Sequence, residues 1–578
     1  MSSFELPIYY LDKKYSVDKN IIDDLELLKT NGESMNRECL LQTIYNPESK
    51  IGKLNLNKHC EYFTDDKKFL KQTQKILNSW EDDENIQTKQ QLYDNFSDLW
   101  DNIKNDDTFI DRYYYIDVEF FKFLNNSGPF LQVLSVYNLI SPLITLLIPV
   151  ILLIVPFFML KFNGVAINLE TYYRVLRDIF SKHALGNIMN IFGDVSWEKR
   201  IYALITIAFY IFSIYQNSLV CYRFYKNFNS IHEKLFLLKE YLNTTIENID
   251  MMESKIQQHN TYSIFLKNIQ KNRYNCIEIR DKLEKIRPFS IRNITNKSSE
   301  IGYVMKYFYE FHTNETLRDT LDYSLGFNSF MEHMNGLYNM NREKLINKCN
   351  FGKTLKLKNT FYPCLINSYP VKNDIKMDKN IIITGPNASG KTTLLKTLLF
   401  NQIFSQMWGY GFYSNATVPL YTNIHCYLNI PDTSGRDSLF QAEARRCKEI
   451  IDSIQDDKKH FCIFDELFSG TNPNEACASS YGFIKYLNKM KNIDFILTTH
   501  LTDICYILDA DINNKYMDVE QIDKINFNYT YIVNNGISII KGGLKVLTDL
   551  DYPTSILDDS INYFSSLDIH IFRSSNDK

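Results

Sequence analysis

The rhythm of hydrophobic and polar positions along this chain of 578 residues changes several times. Over residues 1–122, apolar side chains recur at helical spacing, from Ile21 to Leu28 and again from Phe69 to Leu77, which predicts a soluble helical region. From Phe123 to Leu160 there is no charged side chain, and a second uncharged run extends from Ile201 to Tyr222. Each reaches the about 20 apolar residues that a helix needs to cross a bilayer core. Residues 123–222 are therefore expected to form a membrane hairpin, with spans at about 133–160 and 201–222. Two buried core helices are the alternative, and the length and lack of charge argue against it. Pro142, Pro149 and Pro156 suit a kinked first span preceded by an interfacial piece, because each proline removes a backbone hydrogen bond.

Past the second run, Ile231, Leu235, Leu238, Leu242, Ile246, Ile249, Met252 and Ile256 recur three or four apart, the seam of a long amphipathic helix. Helical pattern continues through 223–345, and the stretch 262–287 is basic. Its Lys267, Lys271 and Arg273 are candidate DNA contacts, with an ordinary solvated helix face as the competing reading. Beyond Phe361 the grammar becomes continuous apolar runs at 380–384, 460–465 and 494–499, alternating with helices. Such runs suit strands buried on both faces of a parallel sheet, so 346–565 is expected to be an α/β domain, followed by a polar tail at 566–578. Asn534-Asn535-Gly536, between the β-rich stretches 526–533 and 537–541, predicts a hairpin turn.

Charge and composition narrow the function classes. A net charge of −4 leaves no global basic footprint, so a nucleic-acid surface would have to be local. A mean hydropathy of −0.27 excludes a polytopic transporter with most of its mass in lipid. The 11 cysteines include no CxxC pair, which argues against a zinc site or a disulfide scaffold. Basic residues flank both apolar runs and also fill the loop between them, so charge leaves the orientation open.

The chemistry concentrates between 385 and 500. GPNASGKT at 385–392 fits G-x-x-x-x-G-K-[ST] between a strand and the helix TTLLKTLLF. Gly385, Pro386, Asn387, Ala388, Ser389, Gly390, Lys391, Thr392 and Thr393 are thus the candidate nucleotide-binding residues. Backbone amides at a helix start cradle phosphates, Lys391 would neutralise them, and the Thr392 hydroxyl would complete a Mg²⁺ shell. A hydrophobic strand then delivers Asp465 as the second metal-side residue, with Glu466 beside it as the candidate base for an attacking water. His500 closes the run DFILTTH, where it could contact a γ-phosphate, although a lone histidine is more often structural.

These residues reach a family. ITGPNASGKTT, SLFQAE, FDELFSGTNPNEA and TTH, in that order, resemble the ATPase domain of MutS, the DNA mismatch-repair family within the ABC-type ATPases. The likeness extends to VKND at 371–374 and to 531–553. The resemblance implies an α plus α/β protein: helical N-terminal and lever regions carrying the membrane hairpin, then a P-loop ABC-type ATPase domain. It implies ATP and Mg²⁺ as ligands, Glu466, His500 and Lys391 as catalytic residues, and Thr392 and Asp465 as the metal side. Ser438 and Phe440 match the signature segment that reaches the nucleotide of a partner subunit, which implies a homodimer through the ATPase heads.

The departures are specific. GRDSLF displaces Gly435 and puts Leu439 where the family has threonine, and Pro370 rather than Tyr369 takes the place nearest the expected adenine-stacking aromatic. The family's Phe-x-Glu mismatch wedge has no counterpart, since Phe308-Tyr309-Glu310 lies in the helical region, where a core role is expected. The expected function is a membrane-anchored ATPase acting on DNA. The alternative is a dimerising motor acting on a membrane or protein partner without DNA. Either places the chain in a membrane with both soluble ends in the cytosol.

Overall fold

A computed structural model describes residues 4–30, 38–81, 86–166, 168–182, 197–286, 300–428, 438–522, 526–538, 540 and 542–563. The chain divides into two units, one of Gln91–Glu247 with Asn272–Asp322, the other of Met1–Gln90, Asn248–Lys271 and Tyr323–Lys578.

The first of these units holds helices α1 (Gly128–Phe162) and α2 (Leu169–Lys182), most of α3 (Trp197–Ile256), the end of α4 (Ser263–Glu284), α5 (Ile301–Thr313) and the start of α6 (Glu315–Arg342). Helix α1 runs through all three prolines without a break. The reason lies in the hydroxyl groups nearby. Pro142 leaves the carbonyl of Asn138 without its helical donor, and Ser141 Oγ donates to it at 3.2 Å. Pro149 does the same to Thr145, whose carbonyl accepts from Tyr210 of α3 at 2.9 Å. Asn217 Nδ2 donates to Thr145 Oγ1 at 2.7 Å, which pins α3 against α1. Ser135, Asn138, Ser141 and Thr145 are buried, while Val133, Leu143, Val150, Phe162, Ile201, Phe209 and Phe212 are exposed. By length and composition, two helices here suffice to cross a membrane. Phe308 is fully buried, edge-on to Tyr113 at 4.8 Å between ring centres.

In the other unit, beside a short antiparallel pair of Tyr15–Ser16 with Tyr62–Phe63, the described strands are β1 (Asn347–Phe351), β2 (Leu355–Thr360), β3 (Asn373–Met377), β4 (Ile381–Thr384), β5 (Tyr410–Gly411), β6 (Asn415–Val418), β7 (Asn423–Tyr427), β8 (His460–Asp465), β9 (Ile493–Thr498), β10 (Asn513–Gln521) and β11 (Phe527–Asn535). Six form the main sheet in the order β11-β10-β4-β9-β8-β7, and five form a second sheet, β3-β2-β6-β1-β5. In the main sheet β4, β7, β8, β9 and β10 are parallel, and only β11 runs antiparallel. The apolar side chains of β4, β8 and β9 are almost wholly buried, the pattern that helices on both faces impose. Those helices include α7 (Lys391–Trp408), α8 (Leu439–Ser453), α9 (Pro473–Asn488) and α10 (Thr502–Ile507), with α11 (Gly543–Asp549) near the end.

The hairpin differs from the sequence expectation. Strand β11 pairs with β10, Phe527 opposite Gln521 and Asn535 opposite Lys515, so Asn534 and Asn535 are paired strand residues rather than a hairpin turn. Gly536 N–H instead extends the ladder by donating to Asn514 O at 2.9 Å. The chain then leaves the sheet, and Ser538 N–H donates to Thr384 Oγ1 at 2.8 Å.

Candidate functional site

Parallel strands aim their C-terminal ends at one edge of the sheet, and crevices at that edge are where such folds take ligands. Here β4 ends at Thr384, β8 at Asp465 and β9 at Thr498. The register sets Asp465 opposite Thr498 and Thr498 opposite Ile383, so the three strand ends lie side by side. The loop 385–390 leaves β4, and α7 starts at Lys391.

Lys391 is the hub. Its side chain is buried, and Nζ donates to the carbonyls of Gly385 at 3.1 Å and Pro386 at 3.2 Å. It also lies 3.2 Å from His500 Nε2 and 3.7 Å from Glu466 Oε1. Burial pulls its pKa down, while Glu466 and then Asp465 pull it back up. His500 Nε2 and Glu466 Oε1 are 2.9 Å apart. That hydrogen bond is the largest cause holding the Glu466 carboxyl below its ordinary pKa, against burial. One imidazole nitrogen thus faces two neighbours: protonated it donates to Glu466, unprotonated it accepts from Lys391.

Asp465 and Thr392 form the second cluster. Thr392 Oγ1 donates to Asp465 Oδ2 at 2.7 Å, and Thr498 Oγ1 donates to Oδ1. Burial raises the pKa of Asp465, and these two hydroxyls oppose the rise. A hydroxyl and a carboxylate oxygen in contact are the sort of donors that Mg²⁺ takes from a protein beside substrate phosphates.

A cavity of about 690 Å³ opens beside the loop. Asn387, Ala388, Gly390, Lys391, Thr392, Thr393 and Glu466 line it, together with Phe361, Tyr362, Tyr369 and Tyr531. The remaining loop residues, Gly385, Pro386 and Ser389, are not part of that lining. Two observations fit the loop to an oxyanion. Ser389 Oγ is buried without a hydrogen-bond partner. Gly390 has φ +93°, and a Cβ there would come within 3.1 Å of the Tyr531 ring, so a side chain would fill the cradle. A nucleotide with a bound Mg²⁺ is therefore a ligand that the residues present can hold.

The aromatic wall was missed in the sequence apart from Tyr369, which is 96% exposed at the cavity's edge. Tyr531 is presented by a distortion of β11 at φ +56°. Asn373, within VKND, holds that distortion, donating to Tyr531 O at 2.9 Å and accepting from Val533 N–H at 2.8 Å. The signal available was the alternation of Tyr529 and Tyr531 just ahead of a glycine turn.

Other candidates stand apart from the cavity lining. Ser438 caps α8, with Oγ accepting from Gln441 N–H at 3.3 Å, and the Phe440 ring lies 5.7 Å from that of Phe468. Gly435 lies outside the described residues. Lys267 and Lys271 are exposed on α4, Arg273 is half-buried there, and none of the three lines this cavity.

Fold and site together define an α/β domain whose strand ends bring a glycine-bearing loop, a buried lysine and paired carboxylates to one edge. Residues 381–568 match the family model described as MutS domain V. Similar proteins include MutS protein homolog 4 of Mus musculus, 29% identical over 36% of this chain and 23% of that protein. Endonuclease MutS2 of Streptococcus uberis is 28% identical over 39% of this chain and 29% of its own length. DNA mismatch repair protein MutS of Pseudothermotoga lettingae is 27% identical over 36% of this chain and 26% of its own length. The chain thus spans about a quarter of the length of the curated relatives it matches. Residues 381–568 are thus similar to MutS domain V, and the chain is similar over part of its length to these MutS proteins.

Proposed function

We propose that the chain is a membrane-anchored MutS-family ATPase that hydrolyses ATP with Mg²⁺ and acts on DNA as a dimer. The observation that carries the ATPase reading is the convergence of Lys391, Glu466 and His500 within 3.7 Å at the start of α7, beside the Thr392–Asp465 pair. Lys391 and the loop amides would hold the phosphates. Glu466, kept ionised by its neighbours, would take a proton from water as the water oxygen bonds to the γ-phosphorus. The bond from that phosphorus to the bridging oxygen then breaks, and ADP leaves with the bridging oxygen. Mg²⁺, held through Thr392 and Asp465, would offset the charge on the phosphates. Phe361, Tyr362 and Tyr531 give the base an aromatic wall. Ser438 and Phe440 would face the nucleotide of a second subunit.

The names of the relatives support a DNA substrate, with Lys267, Lys271 and Arg273 as the candidate contacts. A second reading, a motor working on a membrane or protein partner without DNA, is favoured by the exposed apolar faces of α1 and α3. Both readings put the hairpin in a membrane and the nucleotide site in the cytosol.

The test is ATP hydrolysis by the full chain in lipid nanodiscs, with and without duplex, mismatched and branched DNA. Lys391→Ala and Glu466→Gln should each lower the rate by about 10²-fold or more. DNA stimulation that fades with salt supports the DNA reading. Hydrolysis indifferent to every DNA supports the second, and a wild-type chain that leaves ATP intact overturns both.

A further inference from the structure

We propose that Glu443, on α8, is a positioning residue that fixes the turn carrying Glu466. This rests on the reading of Glu466 as the base and extends it to a residue outside the cavity.

The turn after β8 is held in a conformation its residues disfavour. Glu466 has φ +48° and Phe468 φ +58°, left-handed values at non-glycine positions, where an L side chain is strained. Such a turn persists only if its surroundings impose it. On one side Glu466 N–H donates to Thr498 O at 3.1 Å, and Ser480 Oγ donates to Leu467 O at 3.3 Å.

On the other side stands Glu443, 2% exposed. Oε1 accepts from Ser469 N–H at 3.1 Å and Ser469 Oγ at 2.8 Å, and Oε2 accepts from Gly470 N–H at 3.1 Å. Both oxygens thus serve one short turn, the Tyr427 hydroxyl also lies beside the carboxylate, and no ion pair among the described residues includes it. A buried carboxylate served by backbone amides is a strong and directional clamp. The seating is close as well. A Cβ on Gly470 would lie 2.7 Å from Phe440 N and 2.8 Å from the Leu439 side chain, so only glycine lets the turn rest on the start of α8. The Phe440 and Phe468 rings close the same contact at 5.7 Å.

The start of α8 and the turn of Glu466 are thereby one packed cluster, and a load on Ser438, the cap of α8, reaches the base through Glu443. Glu443→Gln removes the charge, and its amide turns N–H toward donors. The carboxyl of Glu466 should then lose its orientation toward His500 without any change in the phosphate cradle.

The experiment compares wild type, Glu443→Gln, Gly470→Ala and Glu466→Gln as full chains in nanodiscs. It measures kcat, the Kd of a fluorescent ATP analogue, and the melting midpoint. Glu443→Gln is expected to lower kcat at least tenfold while Kd stays within twofold. Gly470→Ala, which keeps the carboxylate but lifts the turn off α8, should do the same and covers the case where Glu443→Gln fails to fold. If a folded Glu443→Gln keeps wild-type kcat, or if kcat and the melting midpoint fall while Kd rises, the positioning role is overturned. Should Glu466→Gln hydrolyse ATP at the wild-type rate, the base reading itself fails and the proposal with it. A dead Glu466→Gln beside an unaffected Glu443→Gln removes the proposal alone.

Discussion

In α7 the side chains of Asn401, Gln402 and Gln406 are buried alongside Leu394, Leu395, Leu398 and Leu399. In α1 Ser135, Asn138, Ser141 and Thr145 are buried, but Leu143, Leu146, Val150 and Phe158 are exposed. The polar groups of the two helices go inside for different reasons. Those of α7 satisfy irregular backbone that the fold has buried. Asn401 Oδ1 accepts from Phe412 N–H at 2.6 Å, Gln402 donates to Pro419 O at 2.8 Å, and Gln406 donates to Tyr421 O at 2.7 Å and Thr64 O at 3.0 Å. Those of α1 satisfy its own proline-freed carbonyls and the neighbouring helix α3. A helix apolar all round suits a protein core, whereas a polar inside with an apolar outside suits a helix whose surroundings are apolar too.

The comparison can be broken most forcefully in α7. Leu398→Ala deletes a fully buried side chain of α7 and should cost about 2–5 kcal/mol. Urea denaturation followed by tryptophan fluorescence would read this as a large fall in midpoint. A loss under 1 kcal/mol would mean that α7 is less tightly enclosed than its burial indicates.

Leu143→Arg makes the opposite change on α1. Leu143 is 55% exposed, so in water this substitution should be nearly neutral. In a bilayer centre arginine costs about 2.5–3.5 kcal/mol on insertion scales. The expected outcome is loss of the chain from the carbonate-washed membrane fraction with unchanged ATP-analogue binding. Full retention in that fraction would remove the lipid from the comparison.

How much of this was legible in the sequence follows the same division. Strands β4, β8 and β9 were readable because burial on both faces leaves an uninterrupted apolar run, and the placing of the loop and of Asp465-Glu466 at strand ends was readable from motif spacing. The hairpin was not. Asn534-Asn535-Gly536 obeys a local turn rule, but β10 pairs with the strand ahead of it, and β10 itself, NNKYMDVEQ, shows little apolar alternation. Glu443 was invisible for a different reason. On an amphipathic helix beside Arg445 and Arg446 it reads as solvated, and only the tertiary turn at Ser469-Gly470 buries it. In α1 the prolines were visible as breakers, whereas the hydroxyls that repair the helix lie partly on α3.

A subtler change is Gln406→Leu, which keeps the volume of the side chain but removes its amide. The carbonyls of Thr64 and Tyr421 and the Tyr421 N–H each lose a partner in a buried place. Leaving such groups unsatisfied costs about 1–3 kcal/mol, less than the Leu398 cavity but in the same unit. A midpoint unchanged in urea would mean that water reaches these groups, and α7 would then resemble an ordinary surface helix.

The smallest expected effect belongs to Asn217→Ala, which removes the hydrogen bond from α3 to Thr145 Oγ1. In water a buried polar group left unpaired is expensive, and the loss should be about 1–3 kcal/mol. Between helices in lipid, measured pairs average about 0.6 kcal/mol, because the separated helices find other partners. Thr145 has one at hand, since its hydroxyl already donates to Ser141 O at 2.9 Å. Unfolding of the Asn217→Ala and Thr145→Val single and double variants in nanodiscs would isolate the pair. A coupling near the lower figure fits α1 and α3 as a lipid-embedded pair. A coupling above about 2 kcal/mol would instead mark their interface as an aqueous protein core, and the contrast with α7 would disappear.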